Sequence, residues 1–168
     1  FLTKATVLTV PPQLSNHPNC EKDIDILFVG NPTSFRKEKI SKLVDGKLRI
    51  SFGFRIFGDQ LVNAIARSKI FLNINAEGQD IFNIFRYSLC CNSHTLFVGD
   101  VGSIDSHPEL QDHIGNSLFY DTTVLAKKIP EILGDFQHYS FMLSEQQKAA
   151  AFHEKKFMQE LTSFILAN

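Results

Sequence analysis

Apolar residues in this chain fall into short continuous runs, separated by segments in which they recur at a helical period. IDILFVG (Ile24–Gly30) is apolar at nearly every position and stops at a glycine, as a central parallel strand buried on both faces does. A helix is predicted from Phe35 to about Val44, with Ser34 as N-cap and Asp45-Gly46 as the stop. The alternation LRISF predicts a strand over 47–52, and 59–67 reads as a helix with Leu61, Val62 and Ile65 inward. A third strand follows at 69–73. The helix from about Asp80 to Cys91 sets Ile81, Phe85 and Leu89 at i, i+4, i+8, with Phe82 alongside, as a face to lie on the sheet. Further on come a strand at 94–98, a short helix at 108–114, a strand at 117–120 and a helix at 122–133 broken or kinked at Pro130. An S-x-x-Q capping box at Ser144–Gln147 opens a last helix to about Leu166, with Phe157, Leu161, Phe164 and Ile165 on one stripe. Strands alternating with helices predict an α/β fold: a doubly wound, Rossmann-like parallel sheet of about five strands, with right-handed crossovers and a closing C-terminal helix.

Residues 1–22 differ from the rest. A short apolar run (Ala5–Val10) is followed by Pro11-Pro12 and a polar stretch, which reads as a strand end and linker leaving a preceding region, with the domain proper at 23–168. The first residue is Phe1 rather than Met, so a piece of a longer protein is expected. At 168 residues there is room for one domain with a real core. The formal net charge of −1 gives no electrostatic case for nucleic acid or an anionic membrane, so any anion site must be local. Cys20, Cys90 and Cys91 form no CxxC pair, which points to a reducing, cytoplasmic setting. No apolar run approaches the roughly 20 residues of a membrane span, and no signal-peptide pattern is visible. The six histidines lack HxxxH or HxH spacing, so no metal is expected.

Chemistry-bearing residues gather in two places. GNPTSFR (Gly30–Arg36) lies where the first strand turns into a helix: glycine admits close backbone approach, the helix N-terminus favours an anion, and Arg36 can add a charge-assisted bond. It is neither GxGxxG nor a P-loop, and a plain turn with Arg36 solvated is the competing reading. The stretch Arg67–Asp100 gathers Asn73, Asn75, Glu77, Asp80, Asn83 and Arg86 between a strand and a helix. Asn73 and Asn75 emerge at the strand end, where short amides often bond local backbone, and Asp80 suits an N-cap better than a catalytic carboxylate. Arg86 shares a helix face with Asn83 beside the apolar stripe, a place where arginine needs an anion or a carboxylate partner.

The order of elements and these residues together resemble the C-terminal, donor-binding domain of GT-B fold glycosyltransferases, of the CgeB-like and related group-1 type. IDILFVGNPTSFR is similar to that family's apolar strand ending in Gly and followed by Arg; RSKIFLNIN looks like its "SKI-x-LN-I" strand. IFNIFRYSLCCNSHTLFVGD resembles a helix "F-E-x-x-R-x-S-x-x-x-x-N" leading to a strand "V-V-S-E". The likeness spans about Asp23 to Leu166. It implies that Gly30, Asn31 and Arg36 lie by a donor diphosphate, that Asn73 and Asn75 face the interdomain cleft, and that Arg86 is the family's helix arginine, with Ser88 and Asn92 at later helix positions. Asn83 stands where the family has a glutamate for donor hydroxyls, and Gly99-Asp100 replaces Ser-Glu.

The expected function is therefore the donor half of a glycosyltransferase, binding a nucleotide-diphospho-sugar without a metal or other cofactor. It would pair with an upstream acceptor-binding domain and be inactive alone. The alternative, favoured by Asn83, is a catalytically inert Rossmann-like binding or scaffold module. A flavodoxin-like or receiver-type domain is the third reading, and no acidic cluster after the first strand supports it.

Overall fold

The computed structural model describes residues 20–43, 48–78, 83–100 and 118–139, with positions 141, 159 and 162. Five strands, β1 (Ile24–Val29), β2 (Ile50–Gly53), β3 (Ser68–Asn73), β4 (Leu96–Asp100) and β5 (Leu118–Tyr120), form one sheet in the order β2-β1-β3-β4-β5. Every neighbouring pair is parallel, with Leu27 opposite both Ser51 and Phe71, and Phe71 opposite Phe97. The helices are α1 (Ser34–Leu43), α2 (Gly58–Ala66), α3 (Ile84–Asn92) and α4 (Thr122–Gly134).

The continuous apolar strands are explained by burial on both faces. Alternate residues of a strand point to opposite sides. Ile26 and Phe28 of β1, Ile70 and Leu72 of β3, and Leu96 and Val98 of β4 pack with Ile40 and Leu43 of α1 and Leu125, Ile129 and Ile132 of α4. Leu27, Val29, Phe71 and Phe97 pack on the other face with Leu61, Val62 and Ile65 of α2 and Tyr87, Leu89, Cys90 and Cys91 of α3. The Phe71 and Phe97 rings stack at 5.8 Å between centroids. The sheet is thus doubly wound, as its alternating pattern predicts. Its order reverses between β1 and β3, and at such a switch point the carboxyl ends of the strands leave a crevice.

Several sequence expectations shift. Ser34 is the first helical residue rather than the cap; Thr33 Oγ1 accepts from the Arg36 N–H instead. The third helix does not run from Asp80: Asn83 is its N-cap, with Oδ1 accepting from Arg86 N at 3.0 Å, so the helix starts at Ile84. Its inward residues include Tyr87, Cys90 and Cys91, spaced i, i+3, i+4, while Phe85 is 51% exposed and not on the sheet face. His94 adopts a left-handed conformation (φ 52°) in the turn before β4 instead of opening that strand. The helix at 122–134 is not broken, because Ile129 and Ile132, both fully buried, hold it on either side of Pro130. Asp45-Gly46, Asp80, Ile81, Phe82, the helix expected at 108–114, and the 144–147 cap lie outside the described residues.

Candidate functional site

The crevice at the switch point is built from the ends of β1 and β3 and the first turns of α1 and α3. Because α1 covers one face of the sheet and α3 the other, each delivers an arginine to this edge from its own side. Arg36 extends over the Phe28 ring, its Cζ 5.9 Å from the centroid. Its Nε donates to Ile74 O at 3.0 Å, and its Nη1 to Asn31 O at 3.3 Å. Arg86 approaches over the Phe71 ring, again at 5.9 Å, and Nη1 donates to Val29 O at 2.9 Å. The guanidiniums therefore grip the backbone where β1 and β3 end.

Neither arginine has a carboxylate partner among the described residues. Both are half-buried. Burial pushes the Arg36 pKa below the usual arginine value; for Arg86 burial acts first and the neighbouring Arg36 charge adds to it. Each guanidinium has five N–H donors, and carbonyls take only some of them. Two partly desolvated like charges with spare donors form a site that an anion stabilises.

Gly30 fits this arrangement. A Cβ there would stand 3.3 Å from Arg36 Nη1 and 3.1 Å from Phe28 Cζ, so the missing side chain is what lets the guanidinium lie against the strand end. Asn73 and Asn75 are buried at the end of β3, and Asn73 Nδ2 stands 3.5 Å from Asn75 Oδ1. The Asn75 Nδ2 is buried with no partner among the described residues, an orphan donor at the same edge. Asn31 is exposed at the rim.

The structure thus brings Gly30, Asn31, Arg36, Asn73, Asn75, Asn83 and Arg86 to one edge of the sheet. The solvated-Arg36 reading fails, since that side chain crosses to Ile74 O. Asn83 has its Oδ1 engaged in capping α3. Asn92 does not join the group, lying exposed at the far end of α3.

Two features escaped the sequence reading. Lys39 pairs with Asp100 at the end of β4, and its Nζ lies 4.8 Å from the Phe35 ring centroid. The signal was its position one turn after Arg36 on α1. Phe52, Phe54 and Phe57, at the end of the edge strand β2 and in the loop after it, are 60%, 53% and 74% exposed. Phe52 meets Phe28 edge-on at 6.1 Å, so this aromatic surface adjoins the ring under Arg36. No motif sets these three apart from the phenylalanines of the core.

No known family model matches the chain, and no curated protein matches it. Among solved structures it is similar to AviGT4, a glycosyltransferase involved in avilamycin A biosynthesis, at 13% sequence identity and a TM-score of 0.41. That similarity covers 82% of this chain and 43% of AviGT4, so the chain spans less than half the length of that protein. No described helix is long and apolar enough to cross a membrane.

Proposed function

We propose that this chain is the donor-binding domain of a glycosyltransferase, holding a nucleotide-diphospho-sugar at the carboxyl ends of β1 and β3. One observation carries the reading: Arg36 and Arg86 reach the switch point from opposite faces of the sheet with no described carboxylate to balance them. A diphosphate supplies that balance. In transfer, the leaving nucleoside diphosphate gains negative charge as the bond from the sugar breaks, and donors already fixed in place stabilise it most at that moment. Gly30 clears the approach, the Asn75 amide offers a further N–H, and the Phe54 and Phe57 rings give the nucleotide an apolar surface. No metal is required for this charge balance, and an upstream acceptor-binding domain would supply the second substrate. The motif resemblance to CgeB-like, group-1 donor domains supports the same assignment.

Titration calorimetry with UDP-, GDP- and ADP-sugars tests it. At least one should bind, and Arg86→Ala should weaken that binding by roughly 10- to 100-fold, the loss expected for a charge-assisted contact of about 1.5–3 kcal/mol. If none of the three classes binds, the assignment is wrong.

A second reading rests on Asn83. With its Oδ1 engaged by the Arg86 N–H, it offers neither the charge nor the free acceptor of a glutamate for sugar hydroxyls. A binding module without transfer chemistry follows from that. Sugar transfer from labelled donor by the natural gene product separates the two: transfer excludes the inert module, and nucleotide binding without transfer excludes the enzyme.

A further inference from the structure

Beside the two arginines the sheet ends in an aromatic surface whose form depends on one glycine. A Cβ on Gly53 would stand 2.6 Å from Ile56 Cδ1 and 3.0 Å from Val29 Cγ2, so glycine at the end of β2 is what lets Ile56 fold back against the core. With Ile56 turned inward, Phe54 and Phe57 are left in solvent on either side of it. Arg55 turns the chain between them in the left-handed region (φ 57°), which residues with a side chain seldom adopt, and strain of this kind collects at ligand clamps. Its guanidinium lies over the Phe54 ring, with Cζ 5.1 Å from the centroid. Phe52 joins this surface to the anion site. It stands opposite Phe28 in the parallel register, its ring meets Phe28 edge-on at 6.1 Å, and the same Phe28 ring carries Arg36 at 5.9 Å.

We infer that this surface seats a purine base, so that the nucleotide held by Arg36 and Arg86 is a purine nucleoside diphosphate. The inference rests on the donor-binding reading and adds to it the class of base. A ribose carries its base roughly 5–10 Å from the diphosphate, one to two strand spacings, which reaches from the end of β1 to the rings on β2 and its loop. Stacking reads a base by its face, and the bicyclic face of a purine covers more ring than a pyrimidine does. The Arg55 guanidinium extends the stack by a further plane. A protein partner fits this surface less well, because three rings fall far short of the roughly 800 Å² that a stable interface takes from each side.

Titration calorimetry of the full chain with ADP, GDP, UDP and inorganic pyrophosphate tests it. ADP and GDP should each bind about tenfold tighter than UDP, the margin that the larger stacked face supplies. The exposed pair Phe54→Ser/Phe57→Ser should cost ADP and GDP roughly 10- to 100-fold and UDP less. Pyrophosphate has no base and reports on the arginines alone, so its affinity should be the same in that variant, which also shows that the variant is folded. UDP binding as tightly as the purines, or a purine preference that survives loss of the rings, overturns this inference and leaves the arginine site standing. Binding of none of the four removes the arginine site, and this inference with it.

Discussion

The two edges of the sheet treat charge in opposite ways. At the amino edge, acidic partners meet the cations: Asp23 holds Arg67, and Asp25 holds Lys69 at 2.7 Å with Arg49 at 3.8 Å. At the carboxyl edge, Arg36 and Arg86 are half-buried and bonded only to carbonyl oxygens. The paired edge does little beyond a small share of stability, since solvent screens ion pairs near the surface. The unpaired edge carries a cost, because a partly desolvated cation beside a like charge is stabilised only by a counter-ion. A fold that pairs these cations at one end and, beside the Lys39–Asp100 pair, leaves two arginines open at the other indicates where a ligand belongs. Lys22 is the exception at the paired edge, since its Nζ donates to the neutral Ser93 O and Thr95 Oγ1.

The sharpest way to break this contrast is to remove both guanidiniums. Arg36→Ala with Arg86→Ala should cost more than 100-fold in nucleoside-diphosphate affinity, as two charge-assisted contacts of about 1.5–3 kcal/mol are lost together. Calorimetry reads the affinity, and the melting temperature of the unliganded variant should not fall in proportion, since two mutually repelling charges leave with their hydrogen bonds. Gly30→Ala should come next, weakening binding about tenfold by pushing Arg36 Nη1 off the strand end, with only a small change in melting temperature. At the paired edge the effects should reverse. Asp25→Asn should lower stability by up to about 1 kcal/mol in urea titration and leave nucleotide affinity unchanged.

The last effect concerns pH. The Lys22 pKa is lower folded than unfolded, so between about pH 8 and the ordinary lysine value the unfolded chain binds more protons. Stability contributed at this position therefore rises with pH across that window and is flat below it. Denaturation curves of the parent chain and Lys22→Met should diverge in favour of the parent as pH increases above 8.

Much of the fold was legible because the strands are buried on both faces. IDILFV and SKIFLN read as continuous apolar runs for the reason that Ile26 and Leu27, or Ile70 and Phe71, serve different cores. The inward face of α2 was legible from its spacing too, and Leu61, Val62 and Ile65 are all buried. The third helix was not. Leu89 is buried as its spacing predicts, but Phe85 is not, because the inward face runs through Tyr87, Cys90 and Cys91, and packing on Phe97 decides it; the Tyr87 ring meets Phe97 edge-on at 5.7 Å. Of the site, Gly30, Arg36 and Arg86 were legible from their places at strand ends and helix starts. That Arg36 bonds Ile74, 38 residues away, and that Lys39 pairs with Asp100, 61 away, depends on strand order, which no local pattern encodes. The capping role of Asn83 was hidden for a related reason: Asp80 offered an equally good cap signal three residues earlier.

Two open cations should make the fold respond to a diphosphate anion, and linkage converts that into stability. The direct measurement is the melting temperature of the chain with and without millimolar UDP, GDP or ADP at low salt, beside the Arg36→Ala/Arg86→Ala variant. A rise of several degrees with at least one nucleotide, absent in the variant, is the predicted result. No rise with any of the three, or an equal rise in the variant, would contradict an anion site at the switch point.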